Sequence, residues 1–374
     1  MSKILFISNG AGEDAIAAQI IRNLQDVDLE VMPLVGQGEA YRDLAPLCGP
    51  RQVMPSGGLI KENLNNFWQD LQNGLLGLIL KQIFWLRSNR NEYTKIVAVG
   101  DLWPVVLSII SGIRPIIFIG TAKSNYHHAY SYLESLILRF GKVRSLVRDE
   151  LTAQDLRQKG VKALWVGNAM MDGLIPQNIN FTLKTGEIGL ALFPGSRQAT
   201  YEVMPRLLQL SEKFAQKLER PICALVAVAH SIEIEKLVGS DNLKPLNYPD
   251  WFQLNNTKDN LRIFFIKGHI ADVFKYSQVA LGLAGTAHEQ AAGWGIPVIA
   301  YDADPQNLRW YRTRQKGLLG EALIVTPDND EKIIEALANL INNPEDRLRR
   351  ANIGKERLGP PGGAERMAQI IKSL

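Results

Sequence analysis

Cysteine is scarce in this chain. Only Cys48 and Cys223 occur among its 374 residues, far apart and in apolar surroundings. Two such cysteines indicate neither a disulfide framework nor a zinc site, and a reducing compartment is the default expectation. The adjacent His127 and His128 cannot both face one metal ion from a helix, so we expect no zinc site there either.

Long apolar runs are also missing. No stretch reaches the roughly 18 uncharged apolar residues that a membrane-spanning helix needs, and the longest candidates are interrupted by Lys81 and Arg114. The opening run ILFIS predicts a strand rather than the core of a signal peptide, because Gly10 and two acidic residues follow at once. We therefore expect a cytoplasmic protein that does not cross a membrane.

The chain has no large excess of charge of one sign. Its formal net charge is +4, and its basic and acidic residues are interleaved, which excludes the footprint of a protein that binds duplex nucleic acid. Mild basicity suits an anionic lipid surface better. The hydrophobic fraction of 46% and the charged fraction of 21% are typical of a globular protein.

Apolar strand-like runs alternate with helical patterns in two successive arrays. The segment 173–186, with Pro, Asn and Gln and no periodicity, separates the arrays, and the alternation restarts at Ile188. This pattern predicts an α/β fold of two doubly wound, Rossmann-like domains facing a central cleft. The predicted divisions are an N-terminal domain over 1–172, a linker over 173–187, a C-terminal domain over 188–358, and a C-terminal helix over 359–374 that packs back on the N-terminal domain.

The stretch 279–301 organises the second array. An apolar run opens into Gly285, Thr286 and Ala287, whose small side chains let a diphosphate approach the N–H groups of a helix N-terminus. Glu289, one turn into that helix, is placed to bind the two ribose hydroxyls. The alternative interpretation is an ordinary strand-to-helix turn, and this stretch alone does not decide between the two.

A second loop of the same array follows the apolar run IGLALF. It contains Gly195, Ser196 and Arg197. The guanidinium group of Arg197 can offer a planar fork of donors to a diphosphate, which a lysine does less well. A plain Pro-Gly-Ser turn is the alternative.

In the first array, Asn9, Gly10 and Gly12 form a glycine-rich loop after the first strand, and Glu13 follows. Their spacing matches the dinucleotide-binding fingerprint only weakly, because the second strand ends without the acidic residue that would hold a ribose. We therefore predict that this loop lines a cleft. Asp101 ends another strand of the array, where it can face the same cleft, cap the next helix, or do both.

The segment 66–90 is unusually rich in large apolar and aromatic residues with basic residues beside them. The predicted surface consists of Trp68, Lys81, Phe84, Trp85 and Arg87. Such a composition suits a helix lying in a membrane interface. A core helix packed on the sheet is the alternative, and the two interpretations can hold for different faces.

Three stretches, in this order, carry a family resemblance: VGNAMMD at 166–172, LALFPGSR, and LAGTAHEQAAGWGIPVIAY. They resemble the lipid-A-disaccharide synthase family of GT-B glycosyltransferases, and the resemblance covers nearly the whole chain. ISNGAGEDAIA and Gly100-Asp101 fall where that family has its acceptor loop and its essential aspartate. The chain departs from the family at three places. It has GNA where the family has Gly-His-Pro, Thr200 where the family has a Glu, and GTAHEQ where the family has GTATLE. It is thus more similar to the lipid-A-disaccharide synthase-related branch of cyanobacteria and plastid-bearing organisms.

The resemblance implies an inverting, metal-independent transfer of a hexosyl group from a UDP-sugar to a lipid or other membrane-associated acceptor, at a peripheral membrane surface. It implies that Asp101 is catalytic and that the ribose ligand is Glu289 or Gln290, since the register is uncertain by one residue. Gln306 and Asn307 would contact the donor sugar or phosphates, and the residues from Ile266 to His269 would line the base pocket.

No metal and no cofactor besides the UDP-sugar co-substrate are expected, although Asp302-Ala303-Asp304 is a minor candidate for a divalent ion. A homodimer is left open. Two other functions remain as alternatives: a UDP-sugar epimerase or hydrolase of the same fold, and a non-catalytic binding protein that has kept this fold.

Overall fold

The computed structural model describes residues 3–52, 74–177, 179–196, 198–255, 257–302 and 309–374. The chain forms two compact units, Met1–Gly173 with Pro361–Leu374, and Leu174–Pro360. Each unit contains its own largely parallel sheet, so the predicted α/β class with two Rossmann-like sheets is confirmed.

The first unit has a six-stranded parallel sheet in the order β2-β1-β3-β4-β5-β6. Its strands are β1 Lys3–Ser8, β2 Leu29–Pro33, β3 Tyr93–Gly100, β4 Ile116–Gly120, β5 Arg144–Val147 and β6 Lys162–Leu164. Its helices up to this point are α1 Ala11–Ile21, α2 Leu75–Ser88, α3 Leu102–Ser111, α4 Tyr132–Phe140 and α5 Glu150–Gln158, with 3₁₀ turns at Glu39–Tyr41, Arg90–Glu92 and Ala169–Met171. The strands read as continuous apolar runs because helices cover both faces of the sheet.

Strand β1 lies at the switch point of this sheet. The chain passes from β1 to β2 on one side and then to β3 on the other. The helices that follow β1 and β3 pack into different apolar clusters: α1 contributes Ala17 and Ile20 to one, and α3 contributes Val105 and Leu107 to the other. Open α/β sheets bind their ligands at such a point, outside the carboxyl ends of the strands.

The second unit has an eight-stranded sheet in the order β14-β13-β12-β7-β8-β11-β10-β9. Its strands are β7 Ile188–Phe193, β8 Ile222–Val228, β9 Leu243–Pro245, β10 Trp251–Leu254, β11 Leu261–Lys267, β12 Val279–Gly282, β13 Val298–Asp302 and β14 Leu323–Pro327. Its helices are α6 Thr200–Leu218, α7 Ile234–Val238, α8 Ile270–Tyr276, α9 Thr286–Trp294, α10 Arg309–Leu319, α11 Asp330–Asn342 and α12 Pro344–Leu358, with 3₁₀ turns at Ser240–Asn242 and Gly320–Ala322. The switch point lies between β7 and β12, because the chain continues from β7 to β8 on the other side.

Strands β9 and β10 form an antiparallel extension of this sheet that the sequence pattern did not predict. Strand β10 pairs antiparallel with both β11 and β9. The two strands have only three and four residues, and most of their side chains are partly or fully exposed. Such short strands lack the apolar run that identifies the buried ones.

The segment 173–187 has no helix or strand in its described residues. Phe181 packs there against the rings of Trp251, Phe264 and Tyr276 at centroid distances of 5.0 to 5.2 Å. From Leu174 onward the segment therefore belongs to the second unit.

The last helix, α13 Gly363–Ser373, belongs to the first unit. The carboxylate of Asp172 accepts hydrogen bonds from the N–H groups of Gly362 and Ala364 at its N-terminus. At the other end, Lys95 Nζ donates to the carbonyl of Ile371 at 2.9 Å. Charges of the favourable sign thus stabilise both ends of the helix dipole.

Candidate functional site

Asn9 and Asp101 meet at the switch point of the first sheet. Asn9 follows β1 and Asp101 follows β3, and Asn9 Nδ2 donates to Asp101 Oδ1 at 3.4 Å. The same oxygen accepts from the N–H of Trp103 at 2.9 Å, so Asp101 caps α3. Both roles predicted for Asp101, helix cap and group at the carboxyl edge of the sheet, are therefore compatible in one geometry.

Glu13 lies beside the Asp101 loop. Gly100 has a φ of +127°, and a Cβ added there would lie 3.0 Å from Cγ of Glu13. Gly10, also predicted in the acceptor loop, has a φ of 136°, which likewise favours glycine. Burial raises the pKa of the Glu13 carboxyl, and the charges of Asp101 and Asp14 raise it further. Two neighbouring carboxyl groups at this edge can hold and pass a proton.

A buried polar network of Ser8, Asp14 and Tyr41 adjoins the glycine-rich loop after β1. Ser8 Oγ donates to Asp14 Oδ1 at 2.5 Å and lies 2.6 Å from the Tyr41 hydroxyl oxygen. All three side chains are almost fully buried. Burial raises the pKa of Asp14 to about 6, against the opposing effect of its two hydroxyl partners. No pattern in the sequence indicates this network, because Tyr41 is far from the loop along the chain.

Helix α2 exposes an apolar stripe. Leu76, Leu80 and Phe84 recur every four residues and are 60%, 67% and 74% exposed. Lys81 and Arg87 are exposed on the same helix. Of the residues predicted for the membrane surface, Phe84, Lys81 and Arg87 are thus exposed on one helix. Leu76 and Leu80 were not among the predicted residues.

Trp85 lies on a different face of α2. It is partly buried against the core of the first unit, with its ring centroid 6.3 Å from that of Tyr93. Gln82, also on an inner face, donates from Nε2 to the carbonyl of Leu34 at 2.8 Å. Trp68, the other predicted aromatic, lies outside the described residues.

The second edge is built from the ends of β7 and β12. A Cβ at Gly282 would lie 2.4 Å from the carbonyl oxygen of Phe193, so only glycine permits this close approach of the two strands. Gly195 follows β7 with a φ of +117°, and Ser196 follows it. Gly285 stands at the N-cap of α9 and makes no side-chain capping bond.

The N-terminus of α9 therefore points to the switch point with small residues around it. Thr286 is exposed and Ala287 is partly exposed, at the first two positions of the helix. The first N–H groups of a helix have no intrahelical acceptor, and together with the helix dipole they favour an anion. Helix α12 holds α9 closely, since a Cβ at Gly354 would lie 2.2 Å from the carbonyl oxygen of Ala292.

A cavity of about 450 Å³ opens beside the loop after β7. Two of the residues that line it are bonded to each other, since Ser231 Oγ donates to the carbonyl of Ser196 at 3.2 Å. The cavity is lined by Ser196, Gln198, Tyr201, Ser231, Ile232, Glu233 and Lys236. The loop predicted to contact a diphosphate thus borders open space.

His288, in the first turn of α9, is not available for proton transfer. It is fully buried, and burial together with the charge of Arg312 lowers its pKa to about 3. The ring is neutral near pH 7. The two alternative ribose ligands, Glu289 and Gln290, are both partly exposed on this helix, and the choice between them stays open.

The predicted base-pocket residues lie at the end of β11. Ile266 is fully buried within the strand. His269 lies after it, with Nε2 3.1 Å from Gln177 Nε2 and 3.7 Å from a carboxylate oxygen of Asp250. Three other predicted ligands, Arg197, Gln306 and Asn307, lie outside the described residues, and their roles stay predictions.

Two negative findings apply to the described ranges alone. No group of three or more His, Cys, Asp or Glu side chains in them is arranged to hold a metal ion. Of the helices in the same ranges, none combines the length and the apolar character that are needed to span a bilayer.

Comparisons with known proteins identify the fold. No family model matches the chain, and neither does any curated protein. Among solved structures, MurG from Acinetobacter baumannii is similar, with a TM-score of 0.62, 14% identity and 100% of both chains covered. The UDP-GlcNAc 2-epimerase from Neisseria meningitidis, bound to UDP-GlcNAc, gives a TM-score of 0.57 and 12% identity over 100% of both chains. The calicheamicin glycosyltransferase CalG4 gives 0.57 and 13%, covering 100% of this chain and 98% of that one. At such identities the similarity shows the fold alone, which is the α/β fold of GT-B glycosyltransferases and these epimerases.

Proposed function

We propose that this chain is a glycosyltransferase that moves a hexosyl group from a UDP-sugar to a lipid or other membrane-associated acceptor, with inversion and without a metal ion. The observation that carries the proposal is the N-terminus of α9 at the switch point of the second sheet, where the N-cap residue is Gly285 and no side chain of the described ranges caps the helix. Its exposed amides suit the diphosphate of a nucleotide sugar. The resemblance to lipid-A-disaccharide synthase-related proteins and the fold shared with GT-B enzymes support the same class.

In this proposal the second unit binds the donor. The N–H groups of Thr286 and Ala287 bind the diphosphate, and Arg197, which follows Ser196 in the sequence, is proposed to add a charged fork of donors. Glu289 or Gln290 binds the ribose hydroxyls. The positive end of the α9 dipole and the charge of Arg197 take the place of the metal ion that other transferases use, because they stabilise the negative charge that develops on the departing diphosphate.

The first unit supplies the base. Asp101 takes the proton from the acceptor hydroxyl while the acceptor oxygen forms its bond to the anomeric carbon. The bond from that carbon to the β-phosphate oxygen breaks with its electron pair, and UDP leaves from the opposite face, which inverts the configuration. Asn9 orients the Asp101 carboxylate, and Glu13 beside it can relay the proton.

The exposed stripe on α2 supports a membrane-associated acceptor. Leu75 and Leu78, at the start of α2, pack with Val35, which follows the carboxyl end of β2. These two leucines are buried and do not belong to the stripe, but they place the start of α2, and with it the exposed Leu76, at the same edge of the sheet as Asp101. A large apolar patch rimmed by basic groups is typical of a surface that binds anionic lipid.

A UDP-sugar epimerase is the second candidate, because the epimerase of Neisseria meningitidis, solved with UDP-GlcNAc, has the same fold. The two functions differ in their need for an acceptor. We expect UDP-hexose incubated with the protein to be consumed only when a lipid acceptor extract is present, as followed by NMR of the anomeric proton. Conversion to an epimer without lipid would instead identify an epimerase. Binding of nucleotide without any turnover across a panel of sugars and lipids would favour a non-catalytic binding protein.

A further inference from the structure

Arg312 and Gln315 hold the loop that precedes α9. Both side chains lie on α10, three residues apart, and each is 2% exposed. Arg312 Nη2 donates to the carbonyl of Leu283 at 3.2 Å, and its Nη1 donates to Gln315 Oε1 at 2.7 Å. Gln315 Nε2 donates to the carbonyl of Gly285 at 3.2 Å. Two carbonyls of the three-residue loop between β12 and α9 thus accept hydrogen bonds from buried side chains.

These bonds decide where the loop amides point. In a trans peptide the C=O and the following N–H point in opposite directions. Because the Leu283 carbonyl is directed at Arg312, the N–H of Ala284 is directed away from it. The Gly285 carbonyl points into α9, where it accepts from the N–H of His288 at 3.1 Å. The N–H of Thr286, on the same peptide, therefore points out of the N-terminal end of the helix. Among the described residues neither N–H has a hydrogen-bond acceptor, so both donors can serve a ligand at the switch point.

Arg312 also places a fixed charge behind this loop. A guanidinium group stays protonated at every pH of interest. In a buried position its field is screened less than it would be in water, and it adds to the positive end of the α9 dipole. The neighbouring His288 responds to this field, because the charge of Arg312 adds to burial in lowering the pKa of its ring.

We propose that Arg312 is a positioning residue for the leaving diphosphate, acting through the carbonyl of Leu283 and through Gln315 to aim the loop amides and to supply positive charge from behind them. The inference rests on the proposed function, in which a nucleotide diphosphate binds at the N-terminus of α9. It adds a residue that acts without touching the substrate.

The test is calorimetric titration of the full chain with UDP, UMP and uridine at fixed ionic strength. Arg312→Gln is expected to weaken UDP binding about tenfold, to weaken UMP binding less, and to leave uridine binding unchanged. Arg312→Lys keeps the positive charge but loses the planar guanidinium group, so it is expected to weaken UDP binding less than Arg312→Gln does. Arg349→Gln is the control, because it removes a guanidinium group from a solvent-exposed pair with Glu321 in the same unit.

The outcomes separate this inference from the function on which it rests. If wild type binds UDP and Arg312→Gln binds it equally well, the inference is wrong and the proposed function stands. If uridine binding falls as much as UDP binding, Arg312 has only a structural role. If wild type does not bind UDP, both are wrong. If Arg312→Gln does not fold, Arg312→Lys provides the test. Unchanged UDP binding by Arg312→Lys, or an equal loss of UDP and uridine binding, overturns the inference. If neither variant folds, Arg312 has a structural role and the inference is wrong.

Discussion

Asn9 Nδ2 lies 3.4 Å from Asp101 Oδ1, a contact between residues 92 positions apart in the chain. It joins the loops that follow β1 and β3, the two strands at the switch point of the first sheet. The carboxylate is thus bonded by Asn9 and by the first turn of α3, which fixes its orientation at the edge where α/β sheets bind ligands. The oriented carboxylate is the candidate base for glycosyl transfer.

Replacement of this carboxylate separates its two roles. Asp101→Asn should retain the fold, because asparagine caps a helix about as well as aspartate. It should also retain UDP binding and lose turnover by at least about a hundredfold, since an amide cannot accept the proton of the acceptor. Melting temperature, UDP affinity and rate of transfer are measured on the same preparation. Turnover that survives the change would leave Asp101 as a helix cap alone.

The buried Asp14 makes a prediction about pH. Its pKa of about 6 lies above the usual 3.8, so between about pH 4 and 6 the folded state keeps a proton that the unfolded chain releases. The free energy of unfolding should therefore fall as pH rises through this window, by up to roughly 3 kcal/mol from this group.

Asp14→Asn should remove that contribution, because the amide has no proton to lose. Urea unfolding measured from pH 4 to pH 7 gives the comparison, with Asp259→Asn at an exposed position as the matched control. Equal slopes of stability against pH in wild type and Asp14→Asn would show that Asp14 does not titrate in this range.

The stripe on α2 predicts binding to anionic bilayers. Leu76, Leu80 and Phe84 should enter the interface, each contributing at most about 1.5 to 3 kcal/mol on full burial. Wild type should sediment with vesicles that contain phosphatidylglycerol, and less with pure phosphatidylcholine. Changing all three residues to glutamine should weaken this binding at least about tenfold.

The control for that experiment is Leu348→Gln, which alters an apolar residue 62% exposed in the other unit. The control should bind vesicles as wild type does. A triple variant that sediments normally, or a wild type that ignores anionic vesicles, would remove the structural support for a membrane-associated acceptor.

The sequence predicted the elements whose side chains are buried on both faces. Runs such as 188–193 and 116–119 form strands β7 and β4 because a parallel strand covered by helices is apolar throughout. Gly285 and Asp101 could be placed at strand ends for the same reason, since the end of an apolar run marks the edge of the sheet.

Contacts between distant segments could not be predicted from the sequence. The spacing of Arg312 and Gln315 on α10 carries no sign that they reach the carbonyls of Leu283 and Gly285. The faces of α2 were also only partly separable, because its composition is apolar on more than one side: Trp85 packs inward while Leu80 is exposed.

An anionic diphosphate is proposed to bind at the N-terminus of α9, and a substitution at Thr286 can test this binding because Thr286 is exposed at the first position of the helix. A carboxylate at this position stabilises the helix by about 0.3 to 1 kcal/mol through its interaction with the helix dipole, but it repels a bound phosphate. Calorimetric titration with UDP, of wild type, Thr286→Asp and the neutral control Thr286→Asn, is the measurement. Diphosphate binding at this N-terminus predicts that Thr286→Asp keeps or raises the melting temperature and weakens UDP binding at least about tenfold, while Thr286→Asn binds UDP nearly as wild type does. UDP binding by Thr286→Asp equal to that of wild type would contradict it.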